Sequence, residues 1–215
     1  MRMRVAVGWA IAGWMGLAAP AAAQGQKGAI ELGLDAAFVV QVPRNLQVST
    51  ASGPVDVDLD NVTALQWPLQ FIRVGYYIGD HAEIEVRTSV DFVDVGDFSP
   101  TSFTLDIAYG YNFGAPGQTR YFVGVGGGID YYNEEAHPYR EVPPALEQMG
   151  LTGVQQVSNV VRYGVGVGAG AKIPLQPQLA VRLEGNWSYD IEKEAELLPA
   201  QHNIVARVGI SYFTK

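Results

Sequence analysis

The sequence predicts an all-β protein, an eight-stranded antiparallel β-barrel that crosses a membrane with its strands. Three features of the 215-residue chain support this fold. Apolar and polar residues alternate with a period of two in eight separate segments. Short connections alternate with longer ones, as in transmembrane barrels, which carry turns at one end and loops at the other. One segment, RYGVGVGAGAKI, places glycine at every second position from Gly164 to Gly170.

The first four predicted strands each have one apolar and one polar face. In the third, for example, Glu83 and Glu85 alternate with Ile84 and Val86. The second strand changes phase, so we expect a β-bulge near Phe71–Ile72. The apolar faces are, in chain order, Ile30, Leu32, Leu34, Ala36 and Phe38; Trp67, Leu69 and Phe71, then Val74, Tyr76 and Ile78; Ile84, Val86, Thr88, Val90 and Phe92; and Phe103, Leu105, Ile107, Tyr109, Tyr111 and Phe113.

The last four strands follow the same rule. Short turns are predicted at residues 79–81, 114–117 and 174–177, and these turns and both chain termini belong to the same end of the barrel. The apolar faces are, in chain order, Tyr121, Val123, Val125, Gly127, Ile129 and Tyr131; Val161, Tyr163, Val165, Val167, Ala169, Ala171 and Ile173; Leu179, Val181, Leu183, Gly185, Trp187, Tyr189 and Ile191; and Ile204, Ala206, Val208, Ile210 and Tyr212.

The N-terminus has the pattern of an export signal. Arg2 and Arg4 precede an apolar stretch, and three alanines ending at Ala23 supply small residues for cleavage. We therefore expect residues 1–23 to be a cleaved signal peptide and residues 24–215 to form one barrel domain. An uncleaved membrane anchor is the alternative, but the apolar stretch is short for that role.

The composition excludes several classes of function. The chain contains no cysteine, which excludes disulfides, cysteine-ligated metals and a lipidated cysteine. Its net charge of −8 disfavours a nucleic-acid partner, because such binding needs a basic surface. We expect no cofactor and no metal site.

Aromatic residues and glycines indicate which face meets lipid. In a transmembrane barrel the apolar face points outward and the polar face lines the lumen, whereas a soluble lipocalin-like barrel, the alternative, has the reverse arrangement. Aromatic residues gather near strand ends, as two interfacial girdles require. They are Trp67, Phe103, Tyr131, Trp187 and Tyr189 toward the loops, and Tyr76, Phe113, Tyr121 and Tyr212 toward the turns.

The polar face predicts a lumen filled by charges and lined on one side by glycine. Glycine leaves room there for long side chains that arrive from across the barrel. We expect the third and seventh strands to face each other, and Glu31 and Arg73 to reach toward the glycines. The predicted glycine wall is Gly124, Gly126, Gly128, Gly164, Gly166, Gly168 and Gly170, and the predicted charge network is Glu31, Arg73, Glu83, Glu85, Arg87, Asp91, Arg162, Arg182, Glu184 and Arg207.

Three stretches carry a resemblance to a known family: YGYNFG, YFVGVGGGIDYY and ARVGISYF. With them the chain resembles the small outer-membrane β-barrel family, the OmpA-like and OmpX-like eight-stranded proteins of the porin superfamily. The resemblance implies a bacterial outer-membrane location, outer-membrane lipid and lipopolysaccharide as surroundings, and the outer-membrane assembly machinery as a partner. The last strand of that family usually ends on an aromatic residue, whereas here Phe213 precedes Thr214 and Lys215.

The expected function is non-enzymatic: a structural role in the envelope, or the binding of an unknown surface ligand through the loops. A narrow pore for ions or small solutes is the first alternative, and a lipid-modifying enzyme the second. The acidic stretch Asp56–Asn61 resembles a calcium loop faintly, but it lacks the required glycine. Residues 133–158 form the longest predicted loop, with a short helix expected from Pro143 to Gly150.

Overall fold

The structure is a computed structural model that describes residues 25–44, 46–50, 53–57, 61–92, 101–133, 159–191 and 200–214. Ten strands follow one another along this part of the chain. They are β1 (Ile30–Pro43), β2 (Leu46–Thr50), β3 (Gly53–Val57), β4 (Val62–Tyr77), β5 (Ala82–Phe92), β6 (Thr101–Phe113), β7 (Arg120–Tyr132), β8 (Val160–Gln176), β9 (Leu179–Asp190) and β10 (Gln201–Thr214). The described residues contain no helix long and apolar enough to cross a membrane.

Eight of the strands form a closed antiparallel barrel, which confirms the predicted fold. The order around the barrel is β1-β10-β9-β8-β7-β6-β5-β4. The barrel closes where β1 pairs with β10, from Ile30 opposite Thr214 to Pro43 opposite Gln201. The remaining two strands, β2 and β3, pair with each other in the first long connection. This hairpin was not predicted, because each of its strands is only five residues long.

Short turns lie at one end of the barrel, together with the start of β1 and the end of β10; we call this the turn end, and the opposite end the loop end. Gly114 and Gly117 adopt positive φ angles of 101° and 76° in the β6–β7 turn, a conformation that favours glycine. The β8–β9 turn is shorter than predicted, because β8 continues to Gln176 and Pro174 pairs with Ala180.

The irregularity predicted in the second barrel strand lies slightly closer to the loop end than expected. Asp35 of β1 pairs with Phe71 of β4, but Ala37 pairs with Gln66. Residues 67–70 therefore bulge out opposite the single residue Ala36. The phase change of the apolar pattern follows from this bulge, since extra residues in one strand exchange its inner and outer faces.

The two faces of the barrel have the inverted polarity of a transmembrane barrel. Apolar side chains are exposed on the outside, as in Tyr121 (64%) and Val125 (57%), whereas Glu31 and Arg73 inside are completely buried. Small apolar clusters complete the interior. One joins Ala29, Tyr77, Ala180 and Phe213 at the turn end, and the other joins Ala37, Val39 and Val205.

Candidate functional site: the barrel lumen

The lumen contains a set of ten charged side chains that are linked by ion pairs. Five are acidic and five are basic, so the set is electrically neutral as a whole. We call it the lumen network; its members are Glu31, Asp35, Glu83, Glu85 and Glu184 with Arg73, Arg87, Lys172, Arg182 and Arg207. Such neutrality is expected in a dry interior, because an isolated buried ion is very unfavourable.

Arg73 connects β4 to β1 and β10. Its Nε donates to Asp35 Oδ2 at 3.0 Å, its Nη2 donates to Ser211 Oγ at 2.9 Å, and its Nη1 forms an ion pair with Glu31. Gly33 lies directly under the guanidinium, where a Cβ atom would collide with it. Arg73 therefore does not reach the glycine wall as predicted; the glycine that accommodates it is on β1, the neighbouring strand.

The middle of the network joins β5 to β9 across the lumen. Arg182 Nη1 lies 2.6 Å from Glu85 Oε2, and Arg182 Nη2 lies 2.6 Å from Glu184 Oε2. Arg87 Nη1 lies 2.6 Å from Glu184 Oε1 and also forms an ion pair with Glu85 through Nε. The third and seventh barrel strands, which are β5 and β9, thus form ion pairs with each other across the lumen, as predicted.

Lys172 is the basic centre of the turn end. Its Nζ lies 2.6 Å from Glu31 Oε2 and 2.6 Å from Glu83 Oε2, and it donates to the hydroxyl of Tyr77 at 2.8 Å. Glu31 thus reaches β8, as expected, but its partner there is a lysine. Within the part of the chain that the structure describes, Glu83 forms its ion pair with this lysine and none with β9.

A second polar group lies toward the loop end. Asp190 accepts hydrogen bonds from Gln201 Nε2 and Asn203 Nδ2, both at 2.9 Å, and lies 3.8 Å from Arg162 Nη1. Asp130 accepts a hydrogen bond from Thr104 Oγ1 at 2.7 Å. Arg162 therefore lies with this outer group toward the loop end, whereas the sequence placed it in one network with Arg182.

The glycines of β7 and β8 form one continuous side of the lumen, which we call the glycine face. Gly124, Gly126 and Gly128 pair with Gly168, Gly166 and Gly164 in register. A Cβ at Gly164 would lie 2.6 Å from Asp190 Oδ1, and one at Gly170 would lie 2.6 Å from Cζ of Phe122. The space beside these glycines is therefore occupied by side chains of neighbouring strands, such as Asp190 of β9 and Phe122 of β7, rather than by residues from the opposite wall.

A cavity of about 200 Å³ follows the glycine face. Its lining extends from Asn203 and Asp190 near the loop end to Glu83 and Phe122 near the turn end. Lys172 and Tyr77 do not line it, and both lie nearer the turns. Within the described residues, the lumen is thus filled by charges on one side and hollow on the other.

The aromatic residues predicted for the girdles lie near both ends of the barrel. Tyr76, Phe113, Tyr121 and Trp187 are exposed, and Phe103, Tyr131, Tyr189 and Tyr212 are half-buried. The ring of His202 stacks on Trp187 with centroids 5.6 Å apart, and the ring of His81 stacks on Tyr111 at 5.7 Å. The side chains of Trp67 and Asp91 are not among those that the structure describes.

Sequence reasoning omitted Asp35 and Lys172 from the candidate network. Both follow the same alternation as the residues that it included, Asp35 with Glu31 and Lys172 with Arg162. The period of two was therefore sufficient to find them. The acidic stretch Asp56–Asn61, residues 133–158 and the predicted helix lie largely outside the described residues. No group of three or more His, Cys, Asp or Glu suited to a metal ion occurs within the described part of the chain.

The sequence matches the family described as "Outer membrane protein beta-barrel domain" over residues 9–211. The chain belongs to this family. Its location is accordingly the bacterial outer membrane, where the barrel is embedded in lipid and lipopolysaccharide, with the turn end toward the periplasm. Among curated protein sequences none matches the chain.

Solved structures of other outer-membrane proteins share the fold at low sequence identity. OprG from Pseudomonas aeruginosa is 12% identical with a TM-score of 0.55, and 90% of this chain and 99% of that chain are covered. Neisserial surface protein A is 12% identical with a TM-score of 0.52, covering 86% and 99%. AlkL, solved in lipid bilayers, is 12% identical with a TM-score of 0.52, covering 94% and 97%. These similarities extend to the fold alone.

Proposed function

We propose that this chain is a closed, non-catalytic outer-membrane barrel whose role is to support the envelope and to carry surface loops that bind a ligand. The lumen network is the observation on which the proposal rests. Its ion pairs join β1, β4, β5, β8, β9 and β10, so the strands are bound together through the interior as well as by their ladders. Such a braced barrel is suited to being a rigid platform.

The loop end supports a binding role. Binding residues concentrate on loops that a rigid scaffold positions. The first long connection carries the β2–β3 hairpin, in which Leu46 pairs with Val57 and Thr50 pairs with Gly53. A hairpin in a loop-end connection offers a preformed surface to a partner outside the cell. We propose the ligand to be a component outside the cell, and the assembly machinery to be the partner during insertion.

The described histidines support a non-catalytic role. His81 Nδ1 donates to the carbonyl oxygen of Asn112 at 2.8 Å, and His202 stacks against aromatic rings of β9. Neither interaction resembles a histidine held beside a nucleophile by a carboxylate. The test is the lipid A profile of cells that overproduce the protein: we expect no change, and a modified lipid A would contradict the proposal.

Conductance in a planar bilayer tests the closed state. Purified, refolded protein is added to a bilayer in KCl, with a refolded eight-stranded barrel known to conduct as the positive control. We expect no current steps from the wild-type protein, since the charged side chains of the lumen network fill much of the interior. Regular openings in a preparation shown to be folded by gel mobility without boiling would contradict the closed barrel.

A narrow pore is the second candidate function, because the cavity along the glycine face provides part of a path. If openings are observed, the double variant Gly166→Leu/Gly168→Leu decides whether they pass along that face. The pore candidate predicts that the openings disappear in this variant. The matched control is Gly185→Leu on neighbouring β9, where an added Cβ meets nothing within 4 Å and which faces lipid; its openings should remain.

A further inference from the structure

The charged side chains of the lumen network leave a cavity unfilled beside the glycine face. The cavity runs along the glycine face, and Glu85, Arg182 and Glu184 are part of its side wall. Glycine itself contributes no side chain to obstruct the cavity. A barrel of eight strands is closed only where side chains fill its interior. Something other than the glycine face must therefore separate this cavity from the periplasm.

Phe122 lies at the inner end of the cavity. It is 5% exposed and lies on the inward face of β7, where Gly124, Gly126 and Gly128 follow it. Its ring fills the space over Gly170. Two cations hold the ring in place: the centroid lies 4.1 Å from Cζ of Arg182 and 5.4 Å from Nζ of Lys172. Such cation–π contacts are stronger when they are shielded from water.

Arg120 lies two residues earlier on the same inward face and covers the opening of the barrel at the turn end, below Phe122. Its Nη1 donates to the carbonyl oxygen of Gly25 at 2.8 Å, and its Nη2 donates to that of Asp80. It thereby joins the segment before β1 to the β4–β5 turn. This segment is also held to the barrel by the amide of Gly28, which donates to the carbonyl oxygen of Tyr77 at 2.7 Å.

We propose that Phe122 and Arg120 together form the seal between the outward cavity and the periplasm. Phe122 closes the cavity with a ring, and Arg120 closes the mouth with a guanidinium that bridges two backbone carbonyls. With this seal the cavity along the glycine face is closed at its periplasmic end, and solutes enter it only from outside the cell. This inference rests on the proposed closed barrel, and it assigns closure on the hollow side to two residues outside the lumen network.

Conductance of the double variant Arg120→Ala/Phe122→Ala tests the seal. The matched control is Tyr121→Ala/Val123→Ala, which truncates two lipid-facing residues of the same strand. Each protein is refolded, checked by gel mobility with and without boiling, and added to a planar bilayer in KCl. We expect current steps from the seal variant and none from the wild type or from the control.

Thiol labelling provides a second measurement that does not depend on stable channels. The chain has no cysteine, so Ser188→Cys introduces a unique thiol into the cavity lining. A membrane-impermeant sulfonated thiol reagent is applied to vesicles from the periplasmic side. In the wild-type background we expect no labelling, and in the seal variant we expect labelling. If the double variant does not fold, the two single variants replace it, and labelling in either one supports the seal.

The outcomes separate the seal from the proposed function. A silent wild type with a folded seal variant that neither conducts nor becomes labelled overturns the seal and leaves the closed barrel standing. A wild type that conducts as much as the seal variant overturns both. A conducting wild type whose conductance rises further in the seal variant supports the seal as a constriction while it contradicts the closed barrel.

Discussion

Removing Arg73 tests whether the lumen network stabilises the barrel as a balanced set. Asp35 has one ion-pair partner within the described residues, and that partner is Arg73; Glu31 keeps Lys172 at 2.6 Å when Arg73 is lost. Arg73→Met therefore leaves one buried carboxylate without a cation, and the network with five acids and four bases. Breaking a buried pair by removing one partner costs about 3–5 kcal/mol, and we expect this decrease in the free energy of unfolding.

The double variant Arg73→Met/Asp35→Asn separates lost charge balance from lost packing. It restores neutrality with four acids and four bases, and replacing both partners of a buried pair is far less unfavourable than replacing one. We expect it to regain about half of the loss, roughly 2 kcal/mol. The assay is unfolding in urea in lipid vesicles, followed by the fraction that retains the folded gel mobility. A double variant no more stable than Arg73→Met, within about 0.5 kcal/mol, would refute the reasoning.

Two further changes test the inner and outer faces. Gly128→Ala places a Cβ 2.7 Å from the carbonyl oxygen of Leu105 and against the carboxylate of Asp106, so we expect the free energy of unfolding in urea to fall by about 1–3 kcal/mol. The control variant Gly185→Ala should change it by less than about 0.5 kcal/mol. Equal urea midpoints for the two variants would show that the glycine face is not crowded. Val125→Arg on the lipid face should reduce stability in bilayers by about 2–4 kcal/mol, and Tyr121→Arg near the turn end by about 0–1 kcal/mol. Similar values for the two arginine variants would contradict the assigned depth.

The charged residues of the lumen show what the alternation of the sequence predicts and what it does not. Alternation placed Glu85, Arg87 and Arg182 on one face of their strands, and all three are buried inside the barrel. It did not separate Arg162, which pairs with Asp190 toward the loop end, from Arg182, which pairs with Glu85. Both arginines have the same local sequence signal. Their partners depend on how far each lies along the barrel axis, and the staggering of all eight strands determines that height.

The glycines illustrate the same limit. The sequence indicates that a side chain is excluded at Gly128 and Gly170, but not which atoms occupy the space. The structure places Asp106 of β6 beside one and Phe122 of β7 beside the other. Phe122 was not singled out from the sequence, and its position at the end of a cavity becomes evident only when β7 and β8 are paired.

The sequence by itself determined the class of fold, the number of barrel strands and the polarity of each face. The fold class and the strands follow from a period of two, because neighbouring side chains of a strand point to opposite sides whatever surrounds it. The face that meets lipid was indicated by the aromatic residues near strand ends and by the glycines of the polar face. The tertiary structure decided the partner of each charge, the hollow side of the lumen and the place where it ends. Those features depend on register, and the register of a closed barrel is fixed by all its strand pairs together rather than by any one segment.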